Sequence, residues 1–295
     1  MSDAADRPRC IVITGASSGL GRALALDLAV AGDTVIGTVR SAADAERLQR
    51  DGGGGVTPIV LDVRDRAAVA RLARDVDAII GDQPLDALVN NAGVVVAGPL
   101  EELDLDRVHE AFEVNVLGTL AVTRALLPLL RRGRGRVVNV GSISAHVPAP
   151  FLAPYAASKA ALGAMTRALR FELAPTGVDV CLVEPGNHRS ELRRKAVASL
   201  DVTSPVYGPA LRRAVNRADG RAAHDADAAA FVAAVRCVLD CRRSRAAYLV
   251  GRDAVVLAAL RRWLPYGVFE GIVRRVAGGA PADRAHTGIK STADV

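Results

Sequence analysis

The sequence predicts an α/β fold in which one doubly wound parallel sheet of about seven strands carries helices on both faces. Short runs rich in β-branched residues alternate along the chain with longer segments whose apolar residues recur at helical spacing. Alternation repeated this often favours a parallel sheet that is buried between two helical layers. No linker and no internal repeat divides the chain, so we predict a single domain over residues 1–277.

The strands and helices follow one another in the order of a Rossmann-type domain. The runs with strand composition are 10–14, 34–39, 56–63, 86–91, 135–142, 178–185 and, as the candidate seventh strand, 246–251. The segments with helical spacing include 20–31, 65–80, 104–130 and 157–174. In an open parallel sheet, ligands bind outside the carboxyl ends of the strands. Residues that directly follow a strand are therefore the first candidates for a functional site.

The segments after the sixth strand depart from this alternation. Residues 187–225 lack strand signals and are predicted to be an insertion that covers the substrate crevice. Residues 253–277 form a predicted helical extension, and 278–295 are small and polar, as in a flexible tail. Within the extension, 255–276 combines aromatic residues and Arg pairs around Pro265. Three interpretations stay open for it: a peripheral membrane contact, a lid or subunit contact, and helices packed on the sheet.

The composition excludes several functional classes. The formal charge is +6, yet the basic residues are mostly arginines scattered along 295 residues, and no nucleic-acid module accompanies them. No uninterrupted apolar run approaches the roughly 18–20 residues that cross a bilayer, and the N-terminus does not resemble a secretory signal. The four cysteines form neither a CxxC pair nor a metal-ligand set, so we expect reduced thiols, no metal and a cytoplasmic location.

The turn after the first strand, "TGASSGLG" at 14–21, has the composition of a phosphate-binding loop. Glycines at its bends allow a tight turn and a close approach of backbone N–H groups to a pyrophosphate at the following helix N-terminus. No Gly-Lys-Ser/Thr sequence follows, so the turn is not a P-loop. We predict a bound dinucleotide that contacts Gly15, Ser17, Ser18, Gly19, Leu20 and Gly21.

The end of the second strand, "GTVRS", indicates which dinucleotide binds. A carboxylate at this place binds the ribose 2′-hydroxyl of NAD, whereas an arginine accommodates the 2′-phosphate of NADP. Val39 offers no carboxylate, Arg40 offers a guanidinium, and Asp33 precedes the strand. We predict NADP(H) as the cofactor, with NAD(H) as the alternative.

The stretch "YAASK" at 155–159 places a phenol one helical turn before an amine. At this spacing Tyr155 and Lys159 lie on the same face of a helix. The pKa of a free tyrosine is about 10, and a nearby positive charge lowers it towards the range of an efficient acid–base group. Ser142, at the end of the fifth predicted strand, can hydrogen-bond a substrate oxygen. We therefore predict that Tyr155 exchanges a proton with the oxygen of a carbonyl or an alcohol.

These motifs, with others in the same order over residues 10–190, resemble the short-chain dehydrogenase/reductase family. The further motifs are "LDV" at 61–63, "NNAG" at 90–93, "NVLG" at 115–118, "GSIS" at 141–144 and "EPG" at 184–186. The resemblance implies a catalytic set of Asn115, Ser142, Tyr155 and Lys159, in which Asn115 holds a water of a proton relay. It further implies cofactor contacts from Asp62, Val63, Asn90, Ala92, Gly93, Asn115, Tyr155, Lys159, Pro185, Gly186 and Ser190. Members of this family are commonly dimers or tetramers, so a homo-oligomer is expected.

The chain departs from the family pattern after "EPG". Ser190 stands where the family often has Thr, and Asn187 and His188 stand where apolar or small residues are common. Two interpretations of His188 stay open: it faces the substrate, or it is a loop histidine. We predict that residues 143–153 and 187–225 form the walls of the substrate site, and the mostly apolar 143–153, with Phe151 and Leu152, favours a substrate with hydrophobic bulk. This segment and the long C-terminal part are similar to those of steroid- and retinol-type members.

The predicted function is an NADP(H)-dependent oxidoreductase that interconverts a ketone or aldehyde and an alcohol. The expected substrate is a hydrophobic small molecule of steroid, retinoid or lipid type, whereas a small ketone or a β-ketoacyl thioester stays open. A second hypothesis is a non-catalytic redox sensor that binds NADP and regulates a partner. The complete set of four catalytic residues argues against a sensor, since a sensor has no need of them.

Overall fold

A computed structural model of the chain describes residues 7–186, 191–222 and 228–277. The strands in these ranges are β1 (Cys10–Ile13), β2 (Thr34–Val39), β3 (Val56–Val60), β4 (Ala87–Asn90), β5 (Arg136–Val140), β6 (Asp179–Pro185) and β7 (Ala247–Val250). They form one seven-stranded sheet in the order β3-β2-β1-β4-β5-β6-β7, and all neighbouring strands are parallel. The strand order reverses between β1 and β4, which opens a crevice at the carboxyl ends of these strands. The predicted fold class is confirmed.

Helices cover both faces of the sheet. They are α1 (Gly19–Val30), α2 (Ala42–Asp51), α3 (Arg66–Ile80), α4 (Leu105–Phe112), α5 (Thr119–Gly133), α6 (Ala153–Leu173), α7 (Glu191–Ala198), α8 (Gly208–Ala222), α9 (Ala228–Asp240), α10 (Arg252–Trp263) and α11 (Tyr266–Ala277). Alternate residues of β1 point to opposite faces, so Ile11 and Ile13 join a core with α1 and α9. Cys10 and Val12 join a second core with α3 and α5. Both faces of the central strands are therefore buried, which explains their nearly continuous apolar sequence.

Strand β3 and helix α2 differ from the sequence prediction. Strand β3 ends at Val60 instead of 63, so Asp62 and Val63 lie in the loop beyond the strand. Helix α2 has no counterpart in the prediction because it buries a single residue, Leu48, and so has a weak apolar pattern. The Ser41 hydroxyl accepts a hydrogen bond from the Asp44 backbone N–H and caps this helix.

The predicted helix 104–130 is interrupted by a π-helical turn at Glu113–Gly118, between α4 and α5. A Cβ atom on Gly118 would lie 2.7 Å from Val63 Cγ2, so the glycine permits the close packing of this turn on the loop after β3. π-Helical turns inside α-helices occur frequently at functional sites. This one contains the predicted catalytic residue Asn115.

The stretch Leu105–Gly133 is long and apolar enough to cross a membrane, by length and composition only. Polar and charged residues interrupt this stretch, so it contains no uninterrupted apolar run of that length. More than half of its most apolar window, 56%, is buried. α5 packs closely against α3, and its buried side chains contribute to the second core. Packing inside the domain therefore accounts for its apolar composition.

The C-terminal extension consists of two helices, as the Pro265 interruption predicts. Leu264 is in an extended conformation between α10 and α11, in agreement with the restriction that a proline places on the residue before it. The predicted insertion contributes α7 and α8 to the described residues. Residues 187–190 and the predicted tail 278–295 lie outside the described residues.

Candidate active site

A cavity of about 340 Å³ opens at the carboxyl ends of the central strands. Its walls come from the loops after β1 to β6, from α6 and from α7. The structure brings the following predicted site residues to its lining: Gly15, Ser17, Ser18, Gly19, Leu20, Arg40, Asp62, Val63, Ala92, Gly93, Ser142, Tyr155, Lys159 and Pro185. Residues from separate motifs along the chain thus meet in one place.

The glycine turn requires its glycines for different reasons. Gly15 and Gly19 have φ angles of +68° and +56°, a region that other residues rarely adopt. A Cβ atom on Gly15 would lie 2.8 Å from Ala92 Cα, so this glycine also lets the turn contact the loop after β4. Gly21 does not line the cavity. A Cβ atom there would overlap the Asn91 Nδ2 atom at 2.3 Å, so Gly21 allows α1 to pack on the loop after β4.

Thr14 and Asn91 hold the glycine turn in place, and sequence reasoning did not identify them. The Thr14 Oγ1 atom accepts hydrogen bonds of 3.0 Å from the backbone N–H groups of Asn91 and Ala92. The Asn91 Nδ2 atom donates to the carbonyl oxygens of Thr14 and Gly15 at 3.0 and 3.1 Å. Thr14 belongs to the glycine motif at 14–21 and Asn91 to the "NNAG" motif at 90–93, so the sequence does mark both segments as functional. Their pairing is a tertiary contact that neither motif reveals alone.

The start of α1 and the end of β2 fit the phosphate groups of a dinucleotide. Ser18 precedes α1 and makes no side-chain capping bond, so its side chain does not occupy the N–H groups of the first turn. Such a helix start favours an anion. Arg40 follows β2 directly, is exposed, and lines the cavity. Backbone donors and a cation therefore stand where the pyrophosphate and an additional phosphate of a dinucleotide would bind.

Ser142 and Tyr155 form the polar centre of the site. Ser142 directly precedes a short 3-10 turn, Ile143–Ala145, and its Oγ atom accepts a hydrogen bond of 3.1 Å from the Ser144 backbone N–H. Both side chains line the cavity, and side-chain hydrogen bonding from Ser142 acts to lower the pKa of Tyr155. Burial acts more strongly in the other direction and raises the pKa of the Tyr155 phenol above its usual value. The Tyr155 hydroxyl of the ligand-free protein is therefore protonated at neutral pH.

Lys159 does not act on Tyr155 in the way that the helical spacing predicts. Its Nζ atom lies 6.0 Å from the centroid of the Tyr155 ring and donates a hydrogen bond of 2.8 Å to the Val140 carbonyl oxygen. Burial lowers the pKa of the Lys159 ammonium to about 8. The expected lowering of the Tyr155 pKa by direct contact is therefore not found. Spacing of i and i+4 places two side chains on one face, but the Lys159 amine turns towards β5.

The lowered pKa of Lys159 predicts a stability that rises with pH. Between about pH 8 and 10.5, the unfolded chain binds a proton at this amine that the native protein does not hold. Stability should therefore increase over this window, by at most about 3 kcal/mol. Urea unfolding at the two pH values should show this increase in the wild type and lose it in Lys159→Met.

Lys195→Met is the matched control for this measurement, because Lys195 is an exposed lysine on α7. The chain contains few other lysines, so little amine titration overlaps this window. Parallel stability curves for the wild type and Lys159→Met would contradict the shifted pKa of Lys159.

Asn115 connects two parts of the site. Its Oδ1 atom accepts a hydrogen bond of 2.8 Å from the Val94 backbone N–H, and its Nδ2 atom donates to the Val94 carbonyl and to the Ser158 Oγ atom at 3.0 and 2.9 Å. Ser158 Oγ in turn donates to the Tyr155 carbonyl oxygen at 2.7 Å. The amide therefore fixes the start of α6 relative to the loop after β4. Asn115 does not line the cavity, and its role in a proton relay stays a prediction.

Two further predicted cofactor residues lie outside the cavity lining, and one lies outside the described residues. The Asn90 side chain donates hydrogen bonds of 2.9 Å to Thr123 Oγ1 and Asn139 Oδ1 within the core. Gly186 lies where a Cβ atom would overlap Asp253 Oδ1 at 2.2 Å, so it permits the packing of α10 on the end of β6. Ser190, like Asn187 and His188, lies outside the described residues. The cofactor contacts of Asn90, Gly186 and Ser190 stay predictions.

The cover of the cavity comes from α7 and not from the apolar segment 143–153. Leu192, Lys195, Ala196 and Ser199 line the cavity from this side. Sequence reasoning assigned a covering role to 187–225 as a whole without naming these residues. Phe151 does not line the cavity. Its ring packs edge-to-face on Tyr207, with the centroids 6.3 Å apart, and its φ angle is +67°.

Comparisons with known proteins agree with this site. The family model described as short chain dehydrogenase matches residues 9–201. Retinol dehydrogenase 5 of Mus musculus is 34% identical over 279 residues, which cover 89% of this chain and 87% of that protein. An NADPH-dependent 3-dehydrocapnine reductase of Ornithobacterium rhinotracheale is 35% identical over 193 residues, covering 64% of this chain and 68% of that protein.

A solved structure extends the similarity to nearly the whole fold. It is a short chain dehydrogenase from Burkholderia cenocepacia J2315 in complex with NADP, with 28% sequence identity and a TM-score of 0.72. The alignment covers 90% of this chain and 98% of that one. The similarity therefore includes both the strands that carry the glycine turn and the later elements that carry Tyr155 and the cover.

Proposed function

The chain belongs to the short-chain dehydrogenase family, and from this premise we propose that it is an NADP(H)-dependent enzyme that interconverts a hydrophobic ketone or aldehyde and its alcohol. The observation that carries the proposal is that Ser142 and Tyr155 line the same cavity as Arg40 and the glycine turn. A proton donor and a dinucleotide site thus share one space, as carbonyl reduction requires.

The choice of NADP(H) is supported by charge. Arg40 stands at the end of β2, and no carboxylate follows this strand directly. The carboxylate of Asp62, in the loop after β3, is paired with Arg64 at 2.7 Å, and this pairing lowers the pKa of Asp62. A 2′-phosphate would therefore meet the Arg40 cation, and the negative charge of Asp62 would be balanced by Arg64. The NADPH-dependent relative and the NADP complex of the solved structure support the same cofactor.

The chemistry divides between the cofactor and the side chains. When held by the glycine turn and Arg40, NADPH would supply the hydride for the carbonyl carbon, and negative charge would then develop on the carbonyl oxygen. Tyr155 donates its hydroxyl proton to this oxygen, while Ser142 hydrogen-bonds it and holds it beside the phenol. The raised pKa of Tyr155 keeps the phenol protonated at neutral pH, as a proton donor in the direction of reduction must be. In the reverse direction, the phenolate accepts the alcohol proton.

A hydrophobic substrate is supported by the apolar part of the lining. Val94, Val95, Val96, Val114, Leu192 and Ala196 face the cavity from the loop after β4, from the π-helical turn and from α7. Apolar walls with a few convergent polar groups are typical of small-molecule sites. The retinol dehydrogenase among the relatives acts, by its name, on a substrate of this kind.

The proposal is tested by following NADPH consumption with carbonyl compounds of graded size. Decanal and 2-decanone should be reduced faster than acetone and faster than acetoacetyl-coenzyme A. Preference for the thioester would instead support a β-ketoacyl reductase, and preference for acetone a small-ketone reductase. Absence of turnover with every carbonyl and alcohol, together with tight NADPH binding, would favour the non-catalytic sensor.

Assembly and location complete the proposal. The family resemblance implies that oligomers are built on the helices at 104–130 and 154–174. Leu105, Leu117 and Phe171 expose apolar side chains on these segments, and Phe171 is 79% exposed. We propose a homo-oligomer that buries these side chains. The four cysteines are all free thiols, which supports a reducing compartment such as the cytoplasm.

We also propose that α10 contacts the surface of an anionic membrane. Val255, Val256, Ala259 and Trp263 lie on one face of this helix and are exposed, Trp263 by 79%. The guanidinium of Arg262 lies 5.8 Å from the Trp263 ring, and Arg252 and Arg261 are also exposed on this helix. Exposed apolar side chains beside arginines favour a lipid surface with negative headgroups. A second copy of this face would bring like charges together.

Binding to vesicles tests the membrane contact. The protein should co-sediment with vesicles that contain phosphatidylglycerol and much less with pure phosphatidylcholine. The double variant Val256→Ser, Trp263→Ser should weaken partitioning by about tenfold, because two apolar side chains no longer enter the interface. Val30→Ser is the matched control, since Val30 is 90% exposed on a different helix. Equal partitioning of the wild type and the double variant would contradict a contact through α10.

A further inference from the structure

His146 and the buried Glu184 form a pair beside the active site that the proposed mechanism does not use. The His146 Nε2 atom lies 2.8 Å from Glu184 Oε1. The side chain of Glu184 is only 4% exposed, whereas that of His146 is 39% exposed. A carboxylate inside a protein costs several kcal/mol unless it is paired, so a buried acid at this place needs its partner.

The pair spans two neighbouring strands at their carboxyl ends. Glu184 is near the end of β6, and His146 directly follows the 3-10 turn after β5. The Glu184 side chain passes over Gly141, where a Cβ atom would lie 3.0 Å from Glu184 Cγ. Gly141 immediately precedes Ser142. The chain between these two anchors therefore consists of Ser142 and the 3-10 turn that begins directly after it.

The pair is the last side-chain anchor that the structure describes before an exposed loop. Within the turn, the Ala145 and His146 backbone N–H groups donate to the carbonyl oxygens of Ser142 and Ile143 at 3.0 and 2.9 Å. Beyond His146, residues 148–150 are exposed. The Gly141 backbone N–H donates to the Val183 carbonyl oxygen of β6 at 2.8 Å, which attaches the chain to the sheet just before Ser142. Ile143 is buried within the turn, and the His146–Glu184 bond attaches the far end of the turn to β6.

We propose that Glu184 and His146 are positioning residues for catalysis, which clamp the turn after β5 to β6 and so hold the Ser142 hydroxyl at the Tyr155 phenol. Gly141 belongs to the same device, since a side chain there would displace Glu184 from the path to His146. This inference rests on the proposed reductase function, because positioning of Ser142 matters only if Ser142 acts on a substrate oxygen.

The charged groups around His146 fit this role. Glu184 on β6 raises the pKa of His146 through the hydrogen bond, while burial, Arg167 on α6 and Arg261 on α10 oppose the rise. The protonated, ion-paired form of His146 therefore persists to higher pH than it would for a free histidine. It contributes stability fully below the ordinary histidine pKa, and part of that contribution is lost as pH rises through the raised value. A neutral N–H donor still makes the hydrogen bond, so a glutamine should substitute for the histidine.

The test compares His146→Ala with His146→Gln, using NADPH and decanal as the probes. His146→Ala should lower kcat by about tenfold or more, in line with the cost of a small misplacement of a catalytic group. The Kd for NADPH, measured by its fluorescence, should stay within about twofold, because neither residue lines the cavity. His146→Gln should recover most of the lost kcat, since its amide can donate to Glu184. A merely structural role would lower kcat and weaken NADPH binding together, instead of lowering kcat alone.

Two controls make the result decisive. His109→Ala removes a histidine whose weak pairing with Glu113, at 3.7 Å, lies on the surface of α4, and it should leave kcat unchanged. Amide hydrogen exchange of residues 143–147 should accelerate in His146→Ala and not in His109→Ala. Unchanged kcat in His146→Ala, with an active wild type, would overturn the clamp. An inactive wild type would instead contradict the proposed function. In that case, unchanged amide hydrogen exchange of residues 143–147 in His146→Ala would still overturn the clamp.

Discussion

Tyr155→Phe should reduce turnover by about a thousandfold or more, because the variant keeps the ring and loses the one proton that the site can deliver to a carbonyl oxygen. NADPH should bind the variant as tightly as the wild type, since the glycine turn and Arg40 are untouched. The measurement combines stopped-flow NADPH consumption with a fluorescence titration of NADPH. A loss of NADPH binding in Tyr155→Phe would instead show that the phenol contributes to cofactor binding more than to proton transfer.

The size of this effect follows from the partners of the phenol. Tyr155 lines a cavity, so removal of its hydroxyl leaves a modest local defect in the fold. Ser142→Ala should cost less, about a hundredfold, because it removes a hydrogen bond to the oxygen but leaves the proton donor. Tyr248→Phe is the matched control. The Tyr248 hydroxyl accepts a hydrogen bond of 2.8 Å from the Arg245 backbone N–H, away from the cavity.

The two directions of the reaction should respond oppositely to pH. Reduction requires the protonated phenol and should fall as pH rises through the pKa of Tyr155, which burial raises above its usual value. Alcohol oxidation requires the phenolate and should rise over the same range. Tyr155→Phe should remove both limbs. Retention of a tenth or more of the wild-type turnover in this variant would contradict a proton transfer through Tyr155.

The sheet could be predicted from the sequence because its central strands are buried on both faces. All four residues of β1 are buried, so each must be apolar, and the run is visible without knowledge of the neighbours. Helix α2 could not be predicted in this way. It lies on the outside of the sheet, buries Leu48 alone, and is specified by the capping of Ser41 and by tertiary contacts.

Site residues that directly follow strands or belong to glycine motifs could be predicted from the sequence. Residues held in place by contacts between distant segments of the chain could not. The sheet topology brings Ser142, Tyr155 and Arg40 together, so their place follows from the fold class once the strands are known. The roles of Thr14 and Asn91 could not be predicted in this way, because each side chain hydrogen-bonds to the backbone of the segment that contains the other residue. The same holds for Lys159, whose amine turns to the Val140 carbonyl on β5 instead of the phenol on its own helix. Helical spacing defines a face, whereas the final partner depends on what packs against it.

Arg40→Asp should reverse the cofactor preference and is expected to have the second largest effect. The guanidinium is exposed, lines the cavity and directly follows β2, and within the ranges that the structure describes it forms no ion pair. Hydrogen bonds to a charged group contribute about 1.5–3 kcal/mol each, and an aspartate replaces this attraction by repulsion of the 2′-phosphate. The ratio of kcat/KM for NADPH over NADH should therefore fall by about a hundredfold or more.

Two further variants distinguish a direct contact between Arg40 and the 2′-phosphate from a general effect of the protein's net charge. Arg40→Ala removes the attraction without adding repulsion, so its ratio should lie between those of the wild type and Arg40→Asp. Arg22→Asp changes the net charge equally on α1, where Arg22 pairs with Asp51 outside the cavity lining, and should leave the ratio unchanged. The effect of Arg40 should also weaken with added salt, because an exposed charge is screened. An unchanged ratio in Arg40→Asp would refute the role of Arg40 and leave the preference to groups elsewhere in the cavity.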